Sequence, residues 1–328
     1  MKLATLKEGG RDGTLVVVSR DLQHAAAVPE IAPTLQDALE RWDEAEGLLR
    51  AVYEDLNEGR ARDARSLHVE ALASPLPRAY QFVDGSAYLA HVERVRRARG
   101  AEMPPSFRTD PLMYQAVSDG FLAPAEPIRV ASVDYGIDFE AEIGVITGDI
   151  AQGAAAAECA AGIRLLVLIN DVALRNLIPA ELKKNFGFLQ SKPRSALSPV
   201  AVTPDEFGGA WRDGKLHRPL TTHLNGKLFG EPNAGDDMQF SFSELLAHAA
   251  KTRPLAAGTL LGSGTVANQD ESRGSSCLAE RRMLEIIASG EARTPFMQYG
   301  DRVRIEMLDE AGASVFGAID QTVEPYRK

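Results

Sequence analysis

The sequence predicts an α+β fold, in which a small N-terminal α/β module precedes a mixed, β-rich core. Three observations indicate this fold: the composition is that of an ordinary globular protein, short apolar segments outnumber helical repeats, and glycine-rich turns join several of those segments as hairpins. Of the 328 residues, 45% are hydrophobic and 25% are charged, which allows a substantial core. At ~100–200 residues per domain, this length predicts two domains, or one large domain with an appendage.

The N-terminal module is predicted over residues 1–78. Leu3–Leu6 and Thr14–Val18 flank a glycine-rich turn, which is typical of a hairpin. Apolar residues then recur at helical spacing over Leu35–Leu56, after a capping box that starts at Thr34. We therefore expect two paired strands followed by one long helix.

A Ser- and Pro-rich break at residues 74–78 ends this pattern, and the second domain is predicted over 79–328. Asn225-Gly226 between two β-rich runs is the strongest short hairpin signal in the chain. The predicted strands are Asp134–Ile146, Ile163–Ile169, Thr221–Leu224, Lys227–Phe229, Leu260–Val266, Arg302–Met307 and Ser314–Asp320. The predicted helices are Ala154–Ala161, Phe242–Lys251 and Cys277–Ser289.

The net charge excludes several classes of partner. Lys and Arg total 36 and Asp and Glu total 46, which gives −10 overall, so we expect no binding to nucleic acid or to a membrane surface. No apolar run approaches the ~20 residues of a membrane span, and no apolar signal segment follows the first residues. Cys159 and Cys277 cannot form a disulfide framework or a thiolate zinc site. We expect a reduced, cytoplasmic protein.

The most informative stretch is an acidic alternation in the first long strand of the core. Asp138, Glu140 and Glu142 would share one face of that strand, because side chains alternate along it. Neighbouring carboxylates repel one another, so this face is either solvated or neutralised by a divalent cation. A polar outer face on a half-buried strand and a metal site both remain open on this pattern.

Asp171 follows the apolar strand Leu165–Ile169, and ligand groups commonly gather beyond strand ends. A carboxylate from this second strand would complete an all-oxygen site for Mg²⁺, Ca²⁺ or Mn²⁺, although Asp171 could also cap a following helix. By pattern alone, His91 and Lys192 are ordinary structural or exposed residues. The loop Gly262–Thr265 lacks the lysine and the spacing of a phosphate-binding loop.

Taken together and in this order, these motifs resemble those of the fumarylacetoacetate hydrolase family. The matching stretches are Tyr80–Asp84 with His91, Met113–Gln115, Asp138–Glu142, Leu168–Arg175, Gln190–Pro193 with Ser198-Pro199, and Gly262–Thr265. The resemblance covers most of residues 79–325, and the N-terminal module resembles the small domain of longer members.

The resemblance implies a β-rich catalytic core of the fumarylacetoacetase type, β-roll or barrel-like, which is usually dimeric and holds a divalent cation. The expected cation is Mg²⁺, with Ca²⁺ or Mn²⁺ as alternatives, and the expected partners are a second copy of the chain and a small dicarboxylic or diketo acid substrate. The implied metal ligands are Asp84, Glu140, Glu142 and Asp171.

The resemblance also implies catalytic and substrate-binding residues. The implied catalytic residues are His91, Lys192 and an acidic partner of His91, which is Glu280 with Asp270 and Glu271 as alternatives. The implied substrate-binding residues are Tyr114, Arg175, Thr265 and one arginine of the basic run, which is Arg99 with Arg96 and Arg97 as alternatives.

The reaction implied is hydrolysis of a carbon–carbon bond in fumarylacetoacetate, which yields fumarate and acetoacetate at the last step of tyrosine breakdown. Hydrolysis of an acylpyruvate is one alternative. Decarboxylation, isomerisation or hydration of 2-oxo or 2-hydroxy-dienoic acids, of the oxaloacetate or hydroxyheptadienedioate type, is another. A catalytically silent binding protein that keeps the fold is the third.

Overall fold

The computed structural model describes residues 1–97 and 102–327. In chain order, the strands are β1 (Lys2–Leu6), β2 (Thr14–Val18), β3 (His24–Ala27), β4 (Arg65–Ser66), β5 (Phe82–Gly85), β6 (Met113–Ala116), β7 (Ile128–Val130), β8 (Ile137–Asp138), β9 (Ala141–Thr147), β10 (Ile163–Asn170), β11 (Ala173–Leu174), β12 (Ala196–Leu197), β13 (Ala201–Val202), β14 (Trp211–Arg212), β15 (Lys215–Leu216), β16 (Thr221–Leu224), β17 (Lys227–Gly230), β18 (Leu260–Gly262), β19 (Arg302–Glu306) and β20 (Ile319–Pro325). The helices are α1 (Leu35–Glu40), α2 (Trp42–Asn57), α3 (Leu89–Arg97), α4 (Ala156–Gly162), α5 (Ile178–Leu182), α6 (Phe242–Ala249) and α7 (Leu278–Ser289).

One large mixed sheet organises the fold, and it confirms the predicted α+β, β-rich class. Its strand order is β4-β3-β2-β1-β13-β10-β9-β18-β5-β6, with β12 paired to β10, and within the described residues this path stays open rather than closing into a barrel. A smaller sheet follows the order β17-β16-β19-β20-β7. The N-terminal strands continue the large sheet, since Leu3 of β1 pairs with Ala201 of β13. The division at residue 78 stays a prediction.

The central strand β10 is apolar on both faces because both faces are covered. Leu166 and Leu168 belong to one apolar cluster, together with most of the core. Leu165 and Val167 point the other way, into a second cluster that includes Trp42 and other residues of α1 and α2. The sheet is therefore enclosed between two apolar layers, and polar groups at its strand ends are shielded from water.

Several predicted elements are confirmed, and others differ in their bounds. The N-terminal hairpin forms as predicted, and so does the one at Asn225 and Gly226, where φ is 52° and 75°, as a two-residue hairpin turn with positive φ at both positions requires. The predicted long N-terminal helix is two helices, because Arg41 leaves the helical region at φ −124° and ψ 37°. This bend lets Leu39 and Trp42 both pack into the cluster against the sheet.

The long strand predicted over Asp134–Ile146 is also divided. A 3₁₀ turn covers Val133–Tyr135, and β8 and β9 are separated at residues 139 and 140. The last predicted strand lies later in the chain than expected, at Ile319–Pro325. Within the described residues, no helix combines the length and the apolar character needed to cross a membrane.

Candidate metal and catalytic site

Five neighbouring strands of the large sheet bring polar side chains to one place. β10, β9, β18, β5 and β6 are adjacent in that order. Asp171 directly follows β10, Glu142 lies on β9, Thr265 follows β18 by three residues, Asp84 lies on β5 and Tyr114 on β6. Residues far apart in sequence therefore meet because their strands are hydrogen-bonded neighbours.

Three of the predicted metal ligands, Asp84, Glu142 and Asp171, form a cluster that we call the acid cluster. One carboxylate oxygen from each lies within 4.8 Å of the others, and all three side chains are buried. Neither oxygen of Glu142 has a hydrogen-bond partner in the described residues. A Cβ at Gly262 would lie 2.3 Å from Asp84 Oδ1, so glycine is required beside the cluster. Buried carboxylate oxygens without donors suit a hard divalent cation.

The electrostatics of the acid cluster point the same way. Burial, followed by the charge of Asp171, raises the pKa of Asp84 to about 8. Burial and the neighbouring Asp84 raise the pKa of Glu142 well above its ordinary value. These carboxyl groups hold protons tightly because burial and their mutual repulsion disfavour the charged forms, and a bound dication would offset both.

Glu140, the fourth predicted ligand, lies beside the acid cluster in a different environment. Its carboxylate accepts hydrogen bonds from Arg175 Nη2 and Lys192 Nζ. Burial opposes its ionisation, but Arg175 and Lys192 outweigh burial and hold the pKa of Glu140 below its ordinary value. Glu140 is therefore a fixed anion, and its role as a metal ligand stays a prediction.

Lys192 is buried, not exposed on a loop as its sequence context alone indicates. Its Nζ donates to Glu140 and, at 2.6 Å, to Asp171 Oδ2. Burial would lower the pKa of Lys192, but Asp171 and Glu140 raise it above its ordinary value, so the ammonium persists. Glu181 holds the preceding loop by accepting backbone N–H bonds from residues 189–191. Lys192 thus carries positive charge into an anionic site.

Asp171 is held by hydrogen bonds to both of its oxygens. Tyr114 Oη donates to Oδ2 at 2.6 Å, and Ser195 Oγ donates to Oδ1 at 2.6 Å. The next residues form the short strand β11, so Asp171 does not cap a helix there. Its carboxylate is oriented by the surrounding side chains and directed toward the acid cluster.

His91 and Glu280 form a hydrogen-bonded pair that we call the dyad. His91 Nδ1 lies 2.7 Å from Glu280 Oε2, and Glu280 is fully buried at the start of α7. The rival Asp270 instead caps a 3₁₀ turn by accepting from Ser272 N at 3.0 Å, and the rival Glu271 lies exposed in that turn. Of the three acidic candidates, the structure therefore places Glu280 against His91.

Arg94 is a residue whose position sequence reasoning missed. Its place in a run of arginines is typical of a solvated helix face, but it is buried and its Nη1 donates to Glu280 Oε1 at 3.1 Å. Its Nη2 donates to the backbone oxygen of Asn268 at 2.7 Å. Since His91 and Arg94 are three residues apart on α3, their shared helix face was the available signal.

Asp138 does not join the acid cluster, although alternation places it on the face of Glu140 and Glu142. It accepts from Arg175 Nε at 2.8 Å and from the backbone N–H groups of Leu278 and Ala279 at 2.7 and 2.9 Å. Those N–H groups begin α7, so Asp138 fixes the helix that carries Glu280. Because β8 and β9 are separate strands, Asp138 supports the start of α7 whereas Glu142 lies in the acid cluster.

The site opens into two connected cavities. The inner chamber, of about 140 Å³, is lined by His91, Glu142, Lys192 and Thr265, among others. The outer chamber, of about 610 Å³, shares His91 with it and extends between α3, α5 and α7.

The predicted arginines are distributed around these chambers. Arg175 lines both chambers, while its guanidinium pairs with Asp138 and Glu140. Arg96 lines the outer chamber and Arg97 is exposed, while Arg99 lies outside the described residues.

Two protein families match this sequence, and together they cover nearly all of it. Residues 81–324 match the family described as Fumarylacetoacetate (FAA) hydrolase C-terminal. Residues 1–78 match the family described as Fumarylacetoacetase N-terminal domain 2. No curated protein sequence matches the chain.

Solved structures with the same fold include hydrolases and an isomerase. A fumarylacetoacetate hydrolase from Exiguobacterium antarcticum has a TM-score of 0.68 at 19% identity, over 99% of this chain and 100% of that one. A maleylpyruvate hydrolase from Sphingobium sp. SYK-6 has a TM-score of 0.66 at 16% identity, over 99% and 100%. A 5-carboxymethyl-2-hydroxymuconate delta-isomerase from Mycobacterium smegmatis has a TM-score of 0.61 at 17% identity, over 100% of both chains. With the family match over residues 81–324, the chain belongs to the fumarylacetoacetate hydrolase family.

Proposed function

We propose that the chain is a metal-dependent hydrolase that cleaves a carbon–carbon bond in a β-diketone acid. Fumarylacetoacetate is the reference substrate of this class, with fumarate and acetoacetate as products, and acylpyruvates are further members. The observation that carries the proposal is the placement of His91, backed by Glu280, on the same inner chamber as Asp84 and Glu142. A water-activating base and a cation site would then face one substrate.

A divalent cation, with Mg²⁺ as the first choice, would be held by Asp84, Glu142 and Asp171, with Glu140 as the fourth carboxylate. Two observations support this placement: the oxygens of Glu142 have no hydrogen-bond partner among the described residues, and the pKa of Asp84 is raised. Such a cation polarises carbonyl oxygens and stabilises negative charge that develops on them. Four carboxylates around one dication leave the site anionic, and Lys192 offsets part of that excess charge.

The residues of the chain supply the proton transfers. His91 Nε2 takes a proton from water while Glu280 accepts the hydrogen on Nδ1, which fixes the tautomer and the ring orientation. The hydroxide adds to the carbonyl carbon, and the bond from that carbon to the neighbouring methylene carbon breaks. The electron pair leaves with the methylene carbon as an enolate, and the proton on His91 returns to it. Lys192 and Thr265 stabilise the negative oxygen.

The test is turnover of fumarylacetoacetate with Mg²⁺, followed by loss of the diketone absorbance, with an acylpyruvate and oxaloacetate run beside it. We expect the two diketones to be hydrolysed and oxaloacetate to be left intact. His91→Ala should abolish cleavage while Mg²⁺ still binds, and His68→Ala, at an exposed histidine, should change neither. Full hydrolysis by His91→Ala would overturn the role of the dyad.

Other outcomes would favour the alternative chemistry. Consumption of oxaloacetate alone would favour a decarboxylase. Isomerisation or hydration of a 2-hydroxy-dienoic acid without cleavage would favour an isomerase or a hydratase. All of these reactions need the cation, but decarboxylation and isomerisation do not need a water-activating dyad because they add no water.

The proposal also includes a cytoplasmic homodimer that acts in tyrosine or aromatic degradation. Light scattering should then give twice the chain mass of 35.4 kDa. A monomer at working concentration would contradict the homodimer.

A further inference from the structure

The outer chamber is more than four times as large as the inner chamber, at about 610 Å³ against about 140 Å³. His91, Ile178 and Phe188 line both, so the two spaces meet at the dyad. A substrate that binds with its reacting carbonyl in the inner chamber, and that is too large for this chamber, therefore extends one arm into the outer chamber. The lining of the outer chamber decides which arms fit.

Most of the residues that line the outer chamber are apolar, and its polar lining among the described residues consists of arginines, His91 and Asn176, with no carboxylate. Aliphatic side chains come from three helices: Val95 on α3, Ile178 and Leu182 on α5, and Met283 on α7. This composition contrasts with that of the inner chamber, whose lining includes the carboxylates of Asp84, Glu140 and Glu142. An apolar arm would gain free energy by leaving water for such walls.

Aromatic rings and guanidinium planes complete the walls. The guanidinium of Arg96 lies 4.6 Å from the ring centroid of Phe107, and that of Arg282 lies 4.3 Å from the ring centroid of Phe296. Within the described residues neither arginine forms an ion pair, and each donates to a backbone oxygen. Flat cations and rings of this kind stack favourably on a further aromatic ring.

Two leucines at the chamber are exposed to water in this structure. Leu112 and Leu182 are 45% and 42% exposed, and both line the outer chamber. Exposed apolar side chains that line one cavity, rather than lying scattered over the surface, are typical of a ligand-binding groove. A bulky apolar ligand would cover both side chains.

We propose that the outer chamber binds the acyl arm of the substrate, which points away from the acid cluster. This arm is bulky and apolar, and an aryl group fits the chamber best. This inference rests on the proposed function and narrows it: among β-diketone acids, the chain favours aroylpyruvates over fumarylacetoacetate. Arg96 and Arg282 could instead bind a carboxylate at the end of a fumaryl arm, and the experiment separates these two outcomes.

The experiment compares kcat/KM with Mg²⁺ for benzoylpyruvate, acetopyruvate and fumarylacetoacetate. Because even one methylene in an apolar pocket changes specificity by about 10–200-fold, benzoylpyruvate should exceed acetopyruvate by at least about 10-fold. It should also exceed fumarylacetoacetate. A preference for fumarylacetoacetate, or no preference between the phenyl and methyl arms, would overturn the inference while leaving the proposed function intact.

A matched pair of variants tests the chamber directly. Leu182, the last residue of α5, lines the outer chamber, whereas Leu189, in the loop that follows α5 and 78% exposed, does not. Leu182→Ser should lower kcat/KM for benzoylpyruvate about 10-fold and leave acetopyruvate unchanged, because only the phenyl arm reaches that wall. Leu189→Ser should change neither. An equal loss on both substrates in Leu182→Ser would contradict the assignment.

A binding measurement separates the two proposals. 4-Phenyl-2-oxobutanoate keeps the aryl arm but lacks the second carbonyl, so it cannot be cleaved. In calorimetry with Mg²⁺ it should bind at least about 10-fold more tightly than pyruvate. If no diketone is cleaved but this difference is found, the proposed hydrolysis fails and the chamber assignment stands. Equal binding would overturn the chamber assignment.

Discussion

Replacing Glu142 by glutamine should stabilise the metal-free protein and remove its response to metal. Glu142 is fully buried, and both of its oxygens lack hydrogen-bond partners in the described residues. An amide of nearly the same shape removes one negative charge from the acid cluster, and its NH₂ group can donate to Asp84. Compared with the glutamate, a glutamine at position 142 should make the metal-free protein more stable and should weaken its binding of a cation.

The expected magnitude follows from the spacing of the acid cluster. Two carboxylates whose oxygens lie within 4.8 Å of each other repel by at least about 3 kcal/mol at an effective dielectric constant near 20. Proton uptake relieves part of this repulsion, since burial and Asp84 raise the pKa of Glu142. We therefore expect Glu142→Gln to add about 1–3 kcal/mol to the metal-free free energy of unfolding. At about 2 °C per kcal/mol, Tm should rise by about 2–6 °C.

The assay is thermal unfolding of wild type and Glu142→Gln, each with EDTA and with excess Mg²⁺. At a free concentration of 100 times Kd, Mg²⁺ should stabilise the wild type by about 2.7 kcal/mol, whereas the variant should gain little. The difference in stability between Glu142→Gln and the wild type should therefore shrink or change sign when Mg²⁺ is added. Equal stabilisation of both proteins by Mg²⁺ would refute the assignment of Glu142 to a cation site.

Four further predictions concern the acid cluster and the groups around it. Lys192→Met should destabilise the metal-free protein by about 3–5 kcal/mol in chemical denaturation, because it leaves buried Asp171 without a cation and Glu140 with Arg175 alone. The matched variant Lys184→Met, at an exposed lysine, should be neutral. In steady-state kinetics, Arg94→Met should lower kcat by about 10–100-fold at nearly constant KM, because Glu280 would lose a side chain that orients it. Arg94→Lys should restore part of the loss, and Arg97→Met should have no effect. Because the pKa of Asp84 is raised to about 8, Mg²⁺ binding at pH 7 should release protons. The affinity of the protein for Mg²⁺ should also rise with pH up to about pH 8. Calorimetry in buffers of different ionisation enthalpy measures both effects. The same raised pKa means that the protonated form stabilises the metal-free fold, so that stability should fall as pH rises from about 4 toward 8.

Short-range patterns in the sequence predicted much of the fold. The apolar run at Ile163–Ile169 forms the doubly covered strand β10, and Asn225-Gly226 forms the hairpin turn, because both depend on local chemistry. The break at Arg41 was not predictable from helical spacing, since it lets both helices pack on a sheet built largely from distant residues. Tertiary packing decides such boundaries.

In the candidate site, too, sequence patterns predicted some residue positions, whereas others depend on tertiary packing. Resemblance placed Asp84, Glu142 and Asp171 in one site, and the structure brings them together because their strands are neighbours. Alternation alone also grouped Asp138 with them, but Asp138 instead anchors the start of α7. Neither strand spacing nor composition could reveal the burial of Arg94 behind Glu280, which depends on how α3 packs against α7.

The most direct test of the account is an anomalous diffraction map of crystals soaked in Mn²⁺. We predict one strong peak in the acid cluster, bonded to carboxylate oxygens of Asp84, Glu142 and Asp171 and absent from crystals of Glu142→Gln. A fully soaked wild-type crystal without a peak there, or with its strongest peak elsewhere, would contradict the cation site and the chemistry built on it.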